Sequence, residues 1–348
     1  MRIASLEVIP YALPFREPYV TARGSLERRE MVLLRLRDEE GLVGLGEAVP
    51  LSLRGGAGLS EVVAELEALK QLDALDEEGI AGAGLSAPGR CAALTALLDL
   101  RGRRAASGAD GLAAPEAAEP EPVPCNATLV AGEPAAVAAD AERWAEEGFS
   151  TFKLKLGAGE DVAQVRAVRE ALGPEARIRV DANGAWGVET GRRLLGELEP
   201  LDVELAEQPA ATIEELGELA SSTTIPIAAD ESVESRADAE RAVATGDCAL
   251  AGIKLSKVGG PEEAIAIAEV LPSYLSSALD GPVGIAAAGQ VAQSLRGVGL
   301  AHGLATQRLF SSTVATVECE LKDGFLHPPA GPGLGVEIDE AALQAHRI

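Results

Sequence analysis

Two lysines, three carboxylates and a further lysine recur at a near-constant interval through the second half of this sequence. Lys153 and Lys155 lie in TFKLKLG, Asp181 in IRVDANGAW, Glu207 in VELAEQP, Asp230 in PIAADES and Lys254 in GIKLSKVGG. Counted from Lys155, the steps are 26, 26, 23 and 24 residues. Each charge ends a short apolar run, and strands of parallel sheets are apolar on both faces, so ions there must be paired or bound to a metal. Three carboxylates with no His or Cys beside them favour a hard cation with oxygen ligands, Mg²⁺ before Mn²⁺. A calcium loop fits less well, because the acids come from separate strands rather than one segment. Lys153 and Lys155 are two apart and share a strand face. Side by side, two ammonium groups disfavour each other's charge, so at least one pKa is expected to fall toward neutrality. A neutral lysine can take a proton from the carbon next to a carboxylate, and a bound cation stabilises the enediolate that forms. Lys254 would be a second base or a cation facing the substrate; Lys257 is the alternative, expected past the strand end. Glu231 is adjacent to Asp230 and faces the opposite way, so it is read as outside the site or as a group behind the ligands. Asn183, two residues beyond Asp181, is either a partner to the site or a plain turn residue.

Such residues act together only if a fold brings them together. From residue 125 onward, short apolar strands alternate with amphipathic helices expected at 134–147, 160–172, 187–199, 212–221, 235–245, 261–271 and 284–297. Strands alternating with helices of this length indicate βαβ units and a parallel sheet. Close to eight units fit, the last strand being read in GLATQRLF, so the expected fold is an α/β protein built on a (β/α)₈ TIM-type barrel with room for one modified strand. Strand C-terminal ends then converge on one mouth, where such barrels keep their active sites. A doubly wound open sheet competes, but no G-x-G-x-x-G follows an early strand. Residues 1–50 alternate apolar and polar as an antiparallel meander, and 60–100 carry helical periodicity. The stretch 101–124, rich in Ala, Gly, Pro and Glu, reads as a linker or surface loop.

Composition narrows the partners. The formal charge of −25, from 30 basic and 55 acidic residues, repels nucleic acid and anionic membranes. No apolar run approaches the length of a membrane span, and the N-terminus lacks a leader's pattern, so a cytoplasmic protein is expected. Three histidines, none before His302, supply a metal cage or a Ser-His-Asp triad poorly, and four scattered cysteines read as buried thiols.

Taken together, K-x-K, D-x-N, E-Q-P, A-D-E-S and I-K-x-x-K-x-G-G resemble the muconate-lactonizing subgroup of the enolase superfamily. A Lys or His base working with Mg²⁺ is that superfamily's known pattern. The resemblance spans nearly the whole chain. It implies an α+β capping domain over 1–120, a catalytic barrel over 125–320 and a tail, 321–348, returning to the capping domain. It also implies Asp181, Glu207 and Asp230 as metal ligands, Lys155 and Lys254 as the acid/base pair, and Lys153 as the electrostatic neighbour of Lys155.

Within that subgroup, VPCNATLVA (123–131), YLSSALDGPVGIAA (274–287) and HGLATQRLF (302–310) look most like the o-succinylbenzoate synthases. That likeness implies dehydration of a small carboxylate in menaquinone biosynthesis. Lys155 would take the α-proton and return it to the departing hydroxyl, while Lys254 stabilises the anion. Ser276 and Ser277, with backbone N–H groups near Gly284, would hold a substrate carboxylate, and Arg23 in PYVTARGS would reach over the mouth. N-succinylamino-acid racemases and muconate cycloisomerases share the same lysines and metal and stand as alternatives; a non-catalytic binding barrel is the remote one. A homo-oligomer is compatible with all of them.

Overall fold

A computed structural model describes residues 1–21, 24–52, 55–72, 75–107, 120–157, 159–244, 246, 248–295 and 299–348. The chain starts with a meander of β1 (Ile3–Thr21), β2 (Gly24–Asp38) and β3 (Val43–Ala48), paired antiparallel in that order. The helices α1 (Leu59–Ala68), α2 (Glu77–Gly82) and α3 (Ala87–Ser107) follow. Residues 101–107, expected in a linker, continue α3.

The centre of β2 is buried on both faces, and its two-residue period divides the core. Val32, Leu34 and Leu36 join Val62, Leu66, Ala92 and Ala96 in one cluster under α1 and α3. Met31 and Leu33, in phase with Tyr11, Leu13 and Leu45 of the neighbouring strands, belong instead to the barrel's core. One sheet thereby ties two cores together. The glycines of VGLGEA serve the first: a Cβ at Gly44 or Gly46 would stand 2.2 or 1.9 Å from the carbonyl oxygens of Ala96 and Ala92, so α3 lies directly on the β3 backbone.

The two-residue β4 (Val123–Pro124) precedes the barrel, whose units are β5 (Ala127–Leu129) with α4 (Pro134–Glu146), β6 (Thr151–Lys155) with α5 (Asp161–Leu172), β7 (Arg177–Asp181) with α6 (Val188–Leu198), β8 (Val203–Glu207) with α7 (Ile213–Ala220), β9 (Ile227–Ala229) with α8 (Arg236–Ala244), β10 (Leu250–Ile253) with α9 (Leu255–Val258) and α10 (Pro261–Ala268), and β11 (Ser273–Leu275) with α11 (Pro282–Ser294). The seven strands form one parallel sheet in chain order. GLATQRLF is not an eighth strand: residues 305–309 turn into a 3₁₀-helix. The ring closes through two residues, with parallel bridges from Cys125 to His302 and from Ser276 to Gly303. At Gly303 an added Cβ would lie 2.9 Å from Ser276 Oγ, so the approach is tight and brief.

The tail adds β12 (Ala315–Val317), β13 (Glu320–Lys322), β14 (Phe325–His327), β15 (Glu337–Ile338) and α12 (Glu340–His346). Arg347 bridges to Tyr11 of β1, and Glu340 pairs with Arg35 of β2 at 2.6 Å.

Glu47, at the end of β3, fastens the meander to the barrel. Its Oε2 accepts from the Tyr11 hydroxyl at 2.7 Å, and its Oε1 from the N–H groups of Gly281 and Gly284 at 2.6 and 3.3 Å. A carboxylate here sits at the N-terminus of α11, where the helix dipole favours negative charge. Burial, then the charge of Asp280, still pushes its pKa up from 4.5 to about 7. Because the folded state holds this proton more tightly than the unfolded chain, stability falls as pH rises from 4.5 to about 7, by about 3 kcal/mol from this group. Glu47→Gln should flatten that slope. Urea unfolding at about pH 5 and about pH 8 reads it; an unchanged slope in the variant would refute the assignment.

Candidate active site

Strand register places the charged residues. Lys155, Asp181 and Glu207 are Cα partners across β6, β7 and β8. Asp230 follows β9 directly, two residues beyond Ala228, the partner of Glu207. Lys254 follows β10 directly and is the N-cap of α9. All therefore meet at the C-terminal mouth of the sheet, on its inner side. Burial there is nearly complete: Asp181 and Asp230 are 0% exposed and Glu207 1%.

Carboxylates taken so far from water need partners, and lysines supply them. Lys153 Nζ is 2.6 Å from both oxygens of Glu207 and 2.9 Å from Asp181 Oδ2. Lys155 Nζ is 2.6 Å from Asp181 Oδ2 and 3.2 Å from Asn183 Oδ1. Lys254 contacts Asp230 Oδ2. Lys257 also reaches this group, 2.9 Å from Asp230 Oδ1, because the chain turns straight into α9 instead of leaving the mouth. Lys257 thus lies past the strand end, as expected, and still reaches the site from α9.

The expected drop in the pKa of Lys155 is corrected as well. Burial lowers it and so does Lys153, but Asp181 together with Tyr19 and Glu207 prevails and the pKa is raised. Lys153 is raised too, burial being overcome by Asp181 and Glu207. Asp181 lies well below the usual carboxylate range, since Lys153 and Lys155 prevail over burial. Glu207 is raised by burial and by Asp181, in spite of Lys153.

By chemistry, the three acids form a hard dication's donor set, all oxygen and all anionic. Among the described residues, no three carboxylate, imidazole or thiol groups stand close enough to coordinate one ion as they are. Each acid is turned onto a lysine, and the ammonium groups provide the positive charge that a dication would bring. The donor types fit; the arrangement is the one these acids adopt with lysines as partners.

A cavity of about 100 Å³ opens over this cluster, with Lys153, Lys155 and Lys254 on its wall. Asn183, Ser276 and Ser277 line it as well. Asn183, at φ 48°, accepts from Lys155 and donates to Glu231 Oε1 at 3.0 Å, so it links two cavity residues. Ser277 Oγ donates to Asp280 Oδ2 at 2.7 Å. The N–H groups near Gly284 do not face the cavity; Glu47 takes those of Gly281 and Gly284, which corrects that part of the expectation. Arg23 lies outside the described residues.

Sequence reasoning passed over two residues, Gln208 and Arg29, and kept Glu231 outside the ligand set or behind it. Glu231 lines the cavity beside Asn183. Gln208, within E-Q-P at φ 39°, accepts from the Asp230 N–H at 2.8 Å and fixes that turn. Arg29 reaches the cavity from β2, 9% exposed, with Nη2 donating to the Pro50 carbonyl at 2.9 Å. Its signal was available: Arg29 is in phase with Met31 and Leu33, so a charge sits on the strand's barrel-facing side.

Removing one partner of a buried ion pair leaves a bare charge, at a cost of about 3–5 kcal/mol. Lys153→Met should lose stability of that order in chemical unfolding without divalent cations. A loss under about 1 kcal/mol would mean that water already screens the pair.

The family comparisons agree with this geometry. Residues 136–342 match the Enolase C-terminal domain-like family, and residues 3–108 match the Mandelate racemase / muconate lactonizing enzyme N-terminal domain. The o-succinylbenzoate synthase of Thermobifida fusca (strain YX) is 40% identical over 236 residues, 64% of this chain and 73% of that protein. Muconate cycloisomerase 1 of Pseudomonas putida is 29% identical over 360 residues, 97% of this chain and 96% of that protein. Among solved structures, the dipeptide epimerase of Enterococcus faecalis V583, complexed with Mg and the dipeptide L-Leu-L-Tyr, superposes with a TM-score of 0.88 at 26% identity, covering 97% of this chain and all of that one. The chain belongs to the enolase superfamily, in its muconate-lactonizing group, and is an enzyme.

Proposed function

We propose that this enzyme removes the proton from the carbon next to a substrate carboxylate, and that its reaction is the o-succinylbenzoate synthase dehydration. The carrying observation is that Lys155 and Lys254 reach one cavity from β6 and β10, four strands apart in the sheet, with three buried carboxylates on the strands between. The 40% identity to the Thermobifida fusca synthase supports the choice of substrate, 2-succinyl-6-hydroxy-2,4-cyclohexadiene-1-carboxylate.

Asp181, Glu207 and Asp230 would hold Mg²⁺, with Mn²⁺ as a substitute. When bound, that ion supplies positive charge against the anion developing on the substrate carboxylate, and it competes with the lysines for the acids' negative charge. Lys155, as the neutral amine, takes the α-proton; the C–H electrons move into the carboxylate. The same ammonium then returns its proton to the hydroxyl on the neighbouring carbon, the C–O bond breaks, and water leaves as the ring becomes aromatic. Lys254 stays an ammonium and faces the intermediate's negative charge. Arg29, from the N-terminal sheet, supplies a further cation in the cavity for an anionic substrate, which the protein's overall charge of −25 would otherwise disfavour. Burial of the lysines keeps bulk water from trading protons with them between the two steps.

A second reading is racemisation or cycloisomerisation, favoured by a second lysine on the same cavity wall, Lys254, buried at 4% exposure. Assays with Mg²⁺ separate the two. For the dehydratase, Lys155→Ala should cut kcat by about 10²–10⁴-fold and be the far more damaging change. For a racemase, Lys254→Ala should stop racemisation while one-sided exchange of the α-proton into deuterated water continues. No turnover of the cyclohexadiene by a folded, Mg²⁺-loaded wild type would rule out the dehydratase reading.

A further inference from the structure

Beneath the three acids, the barrel holds a polar contact that the proposed reaction does not use. Tyr274 of β11 is fully buried, and its hydroxyl donates to Glu207 Oε2. The two residues are three strands apart in the sheet, with β10 and β9 between them. The phenol can cross that distance because of what those strands present. Gly252 is the Cα partner of Tyr274, and Ala228 is the partner of Glu207. A Cβ at Gly252 would stand 3.1 Å from the phenol oxygen, 3.2 Å from Cζ and 3.5 Å from the Glu207 carboxyl carbon. The missing side chain is therefore the passage through which the ring reaches the acid.

The ring is also held from its face. The Arg179 guanidinium lies 5.3 Å from its centroid. Arg179 is itself 0% exposed and tied down, with Nε on Glu204 at 2.5 Å and Nη1 on the Ala301 carbonyl at 2.6 Å. A donor clamped in this way fixes the oxygen that it meets.

We infer that Tyr274 is a positioning residue for Glu207: its phenol anchors Oε2 and leaves Oε1 to turn toward the cavity and its cation. The inference rests on the reading of Glu207 as a ligand. Groups that orient a ligand from behind change metal affinity about 10–100-fold when removed.

Calorimetric titration of Mg²⁺ into the full chain tests it, alongside the rise in Tm that Mg²⁺ produces. Tyr274→Phe removes one oxygen and keeps the ring; the expected result is a Kd weakened about 10–100-fold and a smaller Mg²⁺-induced rise in Tm. Gly252→Ala displaces the phenol without altering it and should weaken the Kd in the same direction, which decides the matter should Tyr274→Phe fail to fold. A Kd within about twofold of wild type in the folded variants, with Tm lowered equally with and without Mg²⁺, would mean a purely structural tyrosine and would overturn the inference. A wild type that binds no Mg²⁺ overturns the ligand reading of Glu207 itself, and this inference with it.

Discussion

Three carboxylates closed off from water at one barrel mouth are the constraint around which this molecule is organised. An isolated ion moved from water into a protein interior costs several kcal/mol even after relaxation, and here Asp181, Glu207 and Asp230 make that move side by side. The surroundings are built accordingly. The Lys153 ammonium donates to both oxygens of Glu207, Lys155 and Lys153 share Asp181, and Lys254 and Lys257 converge on Asp230. Opposite charges set at this spacing make the mouth a closed ion cluster.

Further out, the same need for partners links the two cores. Glu47 satisfies the first N–H groups of α11, the helix that follows the cavity segment 276–279. Arg29 enters the cavity from β2, whose other face supports α1 and α3. The sheet of the N-terminal unit is therefore both a wall of the cavity and a fastening to the barrel. Substitutions in that sheet act on the site through position as well as through contact.

The barrel's irregular closure belongs to the same picture. Seven strands carry the regular ladder, and the eighth place is filled by His302 and Gly303 alone before the chain turns. A shorter eighth element leaves Ser276 packed against Gly303 at the cavity's edge. GLATQRLF has the apolar content of a strand, but local content does not reveal how many residues find a pairing partner.

What the sequence determined by itself was the order of charges along the chain. One charged residue at each successive strand end, at the interval of a strand–helix unit, is a local pattern, and a parallel barrel converts that order directly into neighbours around a mouth. The lysines and the three acids that meet at the mouth were legible for that reason, as were most helices, whose periodicity is also local. Contacts made across the barrel or between the two cores were decided only by the tertiary structure. Along the chain, Lys155 has Lys153 as its nearest charge; across the strands it has Asp181, closer and opposite in sign, which reverses the expected shift. Lys257 turns back onto Asp230 because α9 begins without a loop. Tyr274 meets Glu207 through the space that Gly252 leaves, and Glu47 claims N–H groups that a substrate carboxylate was expected to use. Electrostatic energy depends on distance through space, and sequence spacing reports that distance only along one strand or one helix.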